Sequence, residues 1–265
     1  MALVLSLGIT STAPTLTKKE NGAAAISFDG TDDLLQYSGV DMNDKSNLSM
    51  IIVSKYEGEE LTYNNSNGDR HSPFFIKESG SWGGMMLSPY QNFIVSRFGS
   101  GKSNCYIKYQ RPEIVDNTTI TIAVKEGSTE KLYVGNENVL TVTDQAEKTA
   151  NIGNVLNVGM SVSGKDNCYY KGTISEILVY NRSLTQSDID TIVEYMHEKH
   201  ISMNEKQMLC DFNEDNKLTA VDALYLLQNM DNITIDHGDI TGDEFVDTKD
   251  VLYVLEVASG EIEKK

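Results

Sequence analysis

Acidic and amide side chains recur at a fixed spacing in two twelve-residue stretches near the end of the chain, residues 211 to 222 and 239 to 250. The first places side-chain oxygens at Asp211, Asn213, Asp215 and Asp222, its positions 1, 3, 5 and 12, with the Lys217 carbonyl available at position 7. The second repeats the pattern with Asp239, Thr241, Asp243 and Asp250, and with the Phe245 carbonyl. A hard cation takes six to eight oxygen ligands at about 2.3–2.6 Å, and this spacing wraps one short loop around one ion. The all-oxygen donor set predicts two bound Ca²⁺ ions and argues against zinc. The second site is expected to be the weaker. Thr241 replaces a stronger ligand at position 3, and Glu244 stands at position 6, where glycine eases a turn of positive φ; the first copy has the more tolerant Asn216 there.

The loops begin only 28 residues apart, which leaves room for one helix after each loop and not for a helix on both sides. Each loop runs into an apolar quartet, Leu224 to Leu227 and Leu252 to Leu255. Four consecutive helical residues span about 300° of the circumference, so two such helices packed together leave apolar surface uncovered and predict a protein partner. This duplicated loop-plus-helix, residues 209 to 262, resembles a type I-like dockerin. The resemblance implies a calcium-folded adaptor that binds a cohesin domain of a scaffoldin, in a secreted, extracellular, cellulosome-associated protein. By the same resemblance, cohesin contacts fall at loop positions 10 and 11 and on the helix beyond: Ala220, Val221 and Leu227 in one copy, Thr248, Lys249 and Leu255 in the other. The two sets differ chemically, which predicts one preferred docking orientation.

Ahead of this tail the pattern changes to short strands broken by Gly, Asn, Asp and Ser: Ala24 to Phe28, Leu48 to Ser54, Thr119 to Val124, Lys131 to Val134, Val155 to Val158 and Thr173 to Tyr180. Without helices between them, they predict an antiparallel sandwich. The period becomes helical at Leu184, Ile189, Ile192, Val193 and Met196, after a cap signal of Thr185 with Asp188 three residues on, so a closing helix is expected over 185–199. Phe28-Asp-Gly-Thr-Asp-Asp-Leu-Leu and Tyr170-Lys-Gly-Thr-Ile-Ser-Glu-Ile-Leu-Val-Tyr resemble the two ends of a laminin G-like, concanavalin A-like jelly roll. The expected class is therefore mainly β, an antiparallel jelly-roll sandwich over residues 1–204, followed by a small α-helical calcium-binding domain over 205–265.

Family membership of this kind implies glycan binding or adhesion without fixing either. Sugar rings stack on exposed aromatic rings, which makes Trp82, flanked by glycines, together with Tyr63 and Tyr90, the candidate carbohydrate contacts; core packing is the alternative for each. Asp29, Asp32 and Asp33 could take a third calcium, or Asp29-Gly30 simply marks a turn. No alternating run of carboxylates of the sort a retaining glycosidase needs is present. Glu57, Glu59, Glu60 and Glu176 are isolated, and His71 beside Arg70 is a thin basis for lyase chemistry. No catalytic residue is assigned, and a non-catalytic module that displays a carbohydrate-binding jelly roll is preferred to a polysaccharide-degrading enzyme or a protein-binding adhesive component.

The net charge of −17 is concentrated at the end: residues 209–265 hold fourteen acidic against four basic side chains. Nucleic acid is an unsuitable partner for such a surface, and plant cell-wall polysaccharide is the partner class expected of the jelly roll by its resemblance. No apolar run reaches the length of a membrane-spanning helix. The opening Met1 to Ile9 lacks the preceding basic residues of a signal core and reads as a first strand, with a native signal peptide expected outside this chain. Cys105 and Cys168 lie in echoing segments, for which a disulfide and two buried thiols both remain open, and Cys210 stands beside the first candidate ligand.

Overall fold

The computed structural model describes residues 13–18, 23–39, 46–60, 72–78, 84–99, 106–143, 152–160, 169–202, 209–215 and 217–259. The chain divides into two compact units, one of residues 1–16 and 25–195, the other of residues 17–24 and 196–265. The main cut therefore falls between 195 and 196, ahead of the 204/205 boundary expected from the sequence.

The larger unit is mainly β. Its strands are β1 (Thr15–Lys18), β2 (Ala24–Asp29), β3 (Leu35–Ser38), β4 (Asn47–Tyr56), β5 (Phe74–Glu78), β6 (Gly84–Pro89), β7 (Phe93–Gly99), β8 (Tyr106–Gln110), β9 (Thr119–Glu126), β10 (Thr129–Val134), β11 (Glu137–Val142), β12 (Ile152–Val158) and β13 (Lys171–Tyr180). They form a seven-stranded sheet in the order β1-β2-β13-β4-β9-β10-β11 and a six-stranded sheet in the order β3-β12-β5-β6-β7-β8. All the pairings described between strands β2 to β13 are antiparallel. The central strand β4 is apolar on both faces: Leu48, Met50 and Ile52 join the core between the sheets, and by strand alternation Ile51 and Val53 are buried on the other side.

The two segments that carry the jelly-roll resemblance, 142 positions apart at Phe28 and Tyr170 in the sequence, are neighbours in the sheet. β13 pairs with β2 so that Gly172 stands opposite Phe28, and the Phe28 and Tyr170 rings meet edge to face at 6.2 Å. Gly172 adopts φ 142°, and a Cβ there would lie 2.1 Å from the Lys55 carbonyl oxygen, so the close approach of β4 requires glycine at this position.

Helix α1 (Gln186–His200) follows β13. The predicted cap is present in both directions: the Thr185 N–H and hydroxyl donate to Asp188 Oδ2 (2.8 and 2.7 Å), and the Asp188 N–H donates to Thr185 Oγ1 (3.2 Å). Arg182 adds two hydrogen bonds to the Asp188 carboxylate, and together these hold the Asp188 carboxyl well below the usual carboxylate range.

In the tail unit each loop is followed by one helix, as the spacing predicts: α2 (Ala220–Asn229) after the first and, beyond a one-turn helix α3 (Ile235–Gly238) that the sequence reading missed, α4 (Thr248–Ala258) after the second. Cys210, Leu218, Ala223, Leu226, Val254 and Val257 form its buried core. Each apolar quartet gives up one residue to that core, Leu226 or Val254. Leu224, Leu227, Leu252 and Leu255 keep between 39 and 55 % of their surface in solvent.

Candidate functional site

The first loop is tied together by its own candidate ligands. Asp215 N–H donates to Asp211 Oδ1 (3.2 Å) and Asn213 Oδ1 (3.0 Å), Asn213 Nδ2 donates to Asp215 Oδ2 (3.2 Å), and Asn213 N–H reaches Asp222 Oδ1 (3.3 Å). In the second loop Asp239 collects the N–H groups of Gly242, Asp243 and Glu244 at 2.7 to 3.0 Å, and the Thr241 hydroxyl donates to Asp250 Oδ1 at 2.9 Å. Burial works to raise the Asp239 pKa, but these N–H donors outweigh it and hold the carboxyl below its ordinary value.

The carboxylates at position 12 do more than the sequence reading assigned to them. Asp222 and Asp250 are 0 % exposed, and each is residue N3 of the helix it opens. Asp222 Oδ2 accepts the Thr219 N–H at 2.8 Å and Asp250 Oδ2 accepts the Asp247 N–H at 2.8 Å, while the side chains of Thr219 and Asp247 cap the helix in return. The other oxygen of each turns to the loop, accepting Asn213 N–H in one copy and Ile240 N–H and Thr241 N–H in the other. The signal was in the sequence: Thr219-x-x-Asp222 and Asp247-x-x-Asp250 are capping boxes with Asp in the place of Glu.

This chemistry fits calcium. Among the described residues neither buried carboxylate has an ion-pair partner, and each loop carries two further carboxylates and a neutral side-chain oxygen in the spacing of a cation loop. Calcium would supply the positive charge that these carboxylates lack; Asp211, Asn213, Asp215, Lys217 and Asp222 would hold one ion and Asp239, Thr241, Asp243, Phe245 and Asp250 the other. Among the described residues, three carboxylates come within 4.8 Å of one another not in either loop but at Asp29, Asp32 and Asp33. There Asp33 is buried, which raises its pKa, and its Oδ2 accepts the Asp29 N–H (2.7 Å); Asp29 Oδ1 in turn accepts the Thr31 N–H (2.7 Å), the bonding of a turn.

Position 6 of the second loop carries the strain expected of it, and Asn216 of the first lies outside the described residues. Glu244 adopts φ 71°, and the position-4 residues Glu214 and Gly242 adopt φ 56° and 79°. A left-handed non-glycine residue costs roughly 1–2 kcal/mol, partly offset in a Gly variant by the larger entropy of the unfolded chain. Glu244→Gly is therefore expected to raise the unfolding free energy of the tail unit by about 0.5–1 kcal/mol, measurable by denaturant titration in saturating calcium; an unchanged or lower value would refute the strain.

The candidate cohesin contacts Ala220, Val221, Leu227, Thr248, Lys249 and Leu255 are all exposed. The carbohydrate candidates fare differently. Tyr90 is corrected: it is 2 % exposed, its ring packed on Tyr56 (5.1 Å) and Phe93 (4.8 Å), and it presents no open face to a sugar. The β6–β7 hairpin folds it into the core, a contact that single-sequence pattern does not encode. Tyr63, Trp82, Arg70, His71, Cys105, Cys168 and Met1 to Ile9 lie outside the described residues. Glu57, Glu59 and Glu60 are exposed, and Glu176 lies in β13 beside a register irregularity. On α1, His197 Nδ1 lies 2.7 Å from Ser202 Oγ, and His200 is buried.

One polar cluster went unread in the sequence. Glu130 of β10 stands opposite Lys125 of β9, both buried, and accepts a hydrogen bond from the Ser96 hydroxyl of β7 in the other sheet. Burial pushes the Glu130 carboxyl up to about 7, with Ser96 and Lys125 opposing.

No protein-family profile matches the chain, and no curated protein matches it. Among solved structures it is similar to a mutant of HCR D/C VPI 5995, with a TM-score of 0.50 and 9% identity over 70% of this chain and 46% of that one. It is also similar to botulinum neurotoxin type C, in a structure describing interaction with two ganglioside molecules, with a TM-score of 0.51 and 8% identity over 69% of this chain and 45% of that one. This chain thus spans less than half the length of both. A further likeness, at TM-score 0.48 and 16% identity, is to domain 4 of an extracellular arabinanase from Geobacillus stearothermophilus in complex with arabinotriose, covering 68% of this chain and 81% of that one. At these identities the first two likenesses establish the fold alone: the chain is a mainly β protein of antiparallel sandwich architecture.

Proposed function

We propose that residues 205–265 are a calcium-dependent, dockerin-like adaptor for a cohesin-type domain of a scaffoldin, and that the preceding sandwich is its non-catalytic cargo in a secreted, cellulosome-associated protein. The observation that carries this reading is the coupling of two cation-type loops, through the buried Asp222 and Asp250, to two helices whose leucines stand in solvent. A small unit that leaves Val221, Leu224, Leu227, Leu252 and Leu255 uncovered has an apolar surface suited to a protein partner. The sandwich is assigned to glycan binding, with plant cell-wall polysaccharide as the partner class, by its resemblance to the jelly-roll family.

Pull-down of the full chain against a set of cohesins, with calcium and with chelator, tests the adaptor. Leu227→Glu combined with Leu255→Glu is expected to weaken the calcium-dependent complex by about tenfold or more while leaving ion binding intact. Binding that persists in chelator, or is unmoved by both substitutions, would contradict the reading. Glycan arrays probed with the same full chain test the cargo.

A further inference from the structure

The two loops are not electrostatic equals. Position 11 is Val221 in the first and Lys249 in the second. The Lys249 ammonium donates to Asp243 Oδ2, and lies 3.8 Å from Asp247 Oδ2. Asp243 is position 5 of its loop, one of the oxygens an ion would take. Its counterpart Asp215 accepts only from groups of its own loop, Asn213 Nδ2 at 3.2 Å and the Lys217 N–H at 2.9 Å, and has no ion pair among the described residues. The contact is local and readily made: the Lys249 N–H also donates to Asp247 Oδ1, so the side chain starts on the first turn of α4 and folds back over the loop mouth.

Resting on the calcium reading of these loops, we propose that Lys249 is a resident competitor for the second ion, so that loop 211–222 fills first and loop 239–250 fills only as calcium displaces the ammonium from Asp243. With the first loop filled and before the second ion arrives, Lys249 offsets part of the repulsion among Asp239, Asp243 and Asp250. The arriving dication must then remove that counterion and bind in its field, a penalty the first loop does not carry. Displacement has a second effect. Lys249 and Leu252 are three apart on α4 and so share a face, and the freed ammonium joins the exposed leucine surface only once the second loop is filled.

The test is a calcium titration of the ¹⁵N-labelled full chain, with the Asn213 amide reporting the first loop and the Gly242 amide the second. In the wild type, Asn213 is expected to titrate at lower calcium than Gly242. Lys249→Met keeps the stem and removes the charge; it should lower the Gly242 midpoint about three- to tenfold and leave Asn213 unmoved, while Lys249→Arg preserves the gap. High potassium chloride should narrow the gap in the wild type and not in the Met variant, a control that needs no folding comparison. If both amides titrate and the Gly242 midpoint is the same in wild type and Lys249→Met, the competitor role is overturned and the calcium reading stands. If neither amide responds to calcium, it is the calcium reading that fails.

Discussion

Chelation of the full chain should abolish most of the helical signal of residues 220–258 while the β signal of the sandwich stays in place. Among its described residues the tail has only six fully buried apolar side chains, with partly buried neighbours packed around them, a small core for a unit of this size without a staple. It also buries Asp222 and Asp250 completely, with no ion pair for either among the described residues. Binding of one ion at a thousand times its dissociation constant adds about 4 kcal/mol, and two such sites are comparable with the whole stability of a small domain. Because those same carboxylates cap α2 and α4, carboxylate repulsion in a loop without its ion should fall directly on the helix starts. Far-UV circular dichroism across a chelator titration checks this, with near-UV signals reporting the sandwich. A chelated sample with unchanged helicity would sink the coupling.

A second large effect is expected inside the sandwich, where stability should fall as pH rises through neutrality. Glu130 is buried with a carboxyl pushed from 4.5 up to about 7, so between those values the folded chain holds a proton that the unfolded chain releases. The stabilisation is complete below about 4.5 and is lost as pH passes 7; at about 1.36 kcal/mol per pKa unit it amounts to about 3 kcal/mol. Glu130→Gln removes the titration and keeps an acceptor for the Ser96 hydroxyl. Relative to wild type the variant should therefore gain stability from about pH 4.5 to about 7 and level off above it, whatever constant offset arises from the neighbouring Lys125. Urea unfolding of both proteins across that range gives the difference, and parallel pH profiles would exclude Glu130 as the source.

The parts of this molecule legible in its sequence are those governed by local chemistry. The two helices after the loops and the Thr185–Asp188 cap each depend on residues within about twelve positions, and short runs broken by Gly, Asn, Asp and Ser were enough to place six of the strands. Pairing across the sheets was not legible. Nothing local singles out Lys125 or Glu130, and only the register that sets them opposite each other, with the Ser96 hydroxyl on Glu130, reveals a buried polar trio. Tyr90 read as a ring beside a turn because nothing local says that Tyr56, 34 positions earlier, closes over it. Lys249 read as a contact for a partner, and its pairing with Asp243 depends on how the loop curls back over the helix start.

Asp222 and Asp250 are each engaged twice: one oxygen takes the Thr219 or Asp247 amide and the other takes amides of the loop. On the calcium reading proposed above, metal capture and a firmly started helix would draw on the same short side chain, and the shape of the leucine surface would answer to whether the metal is there.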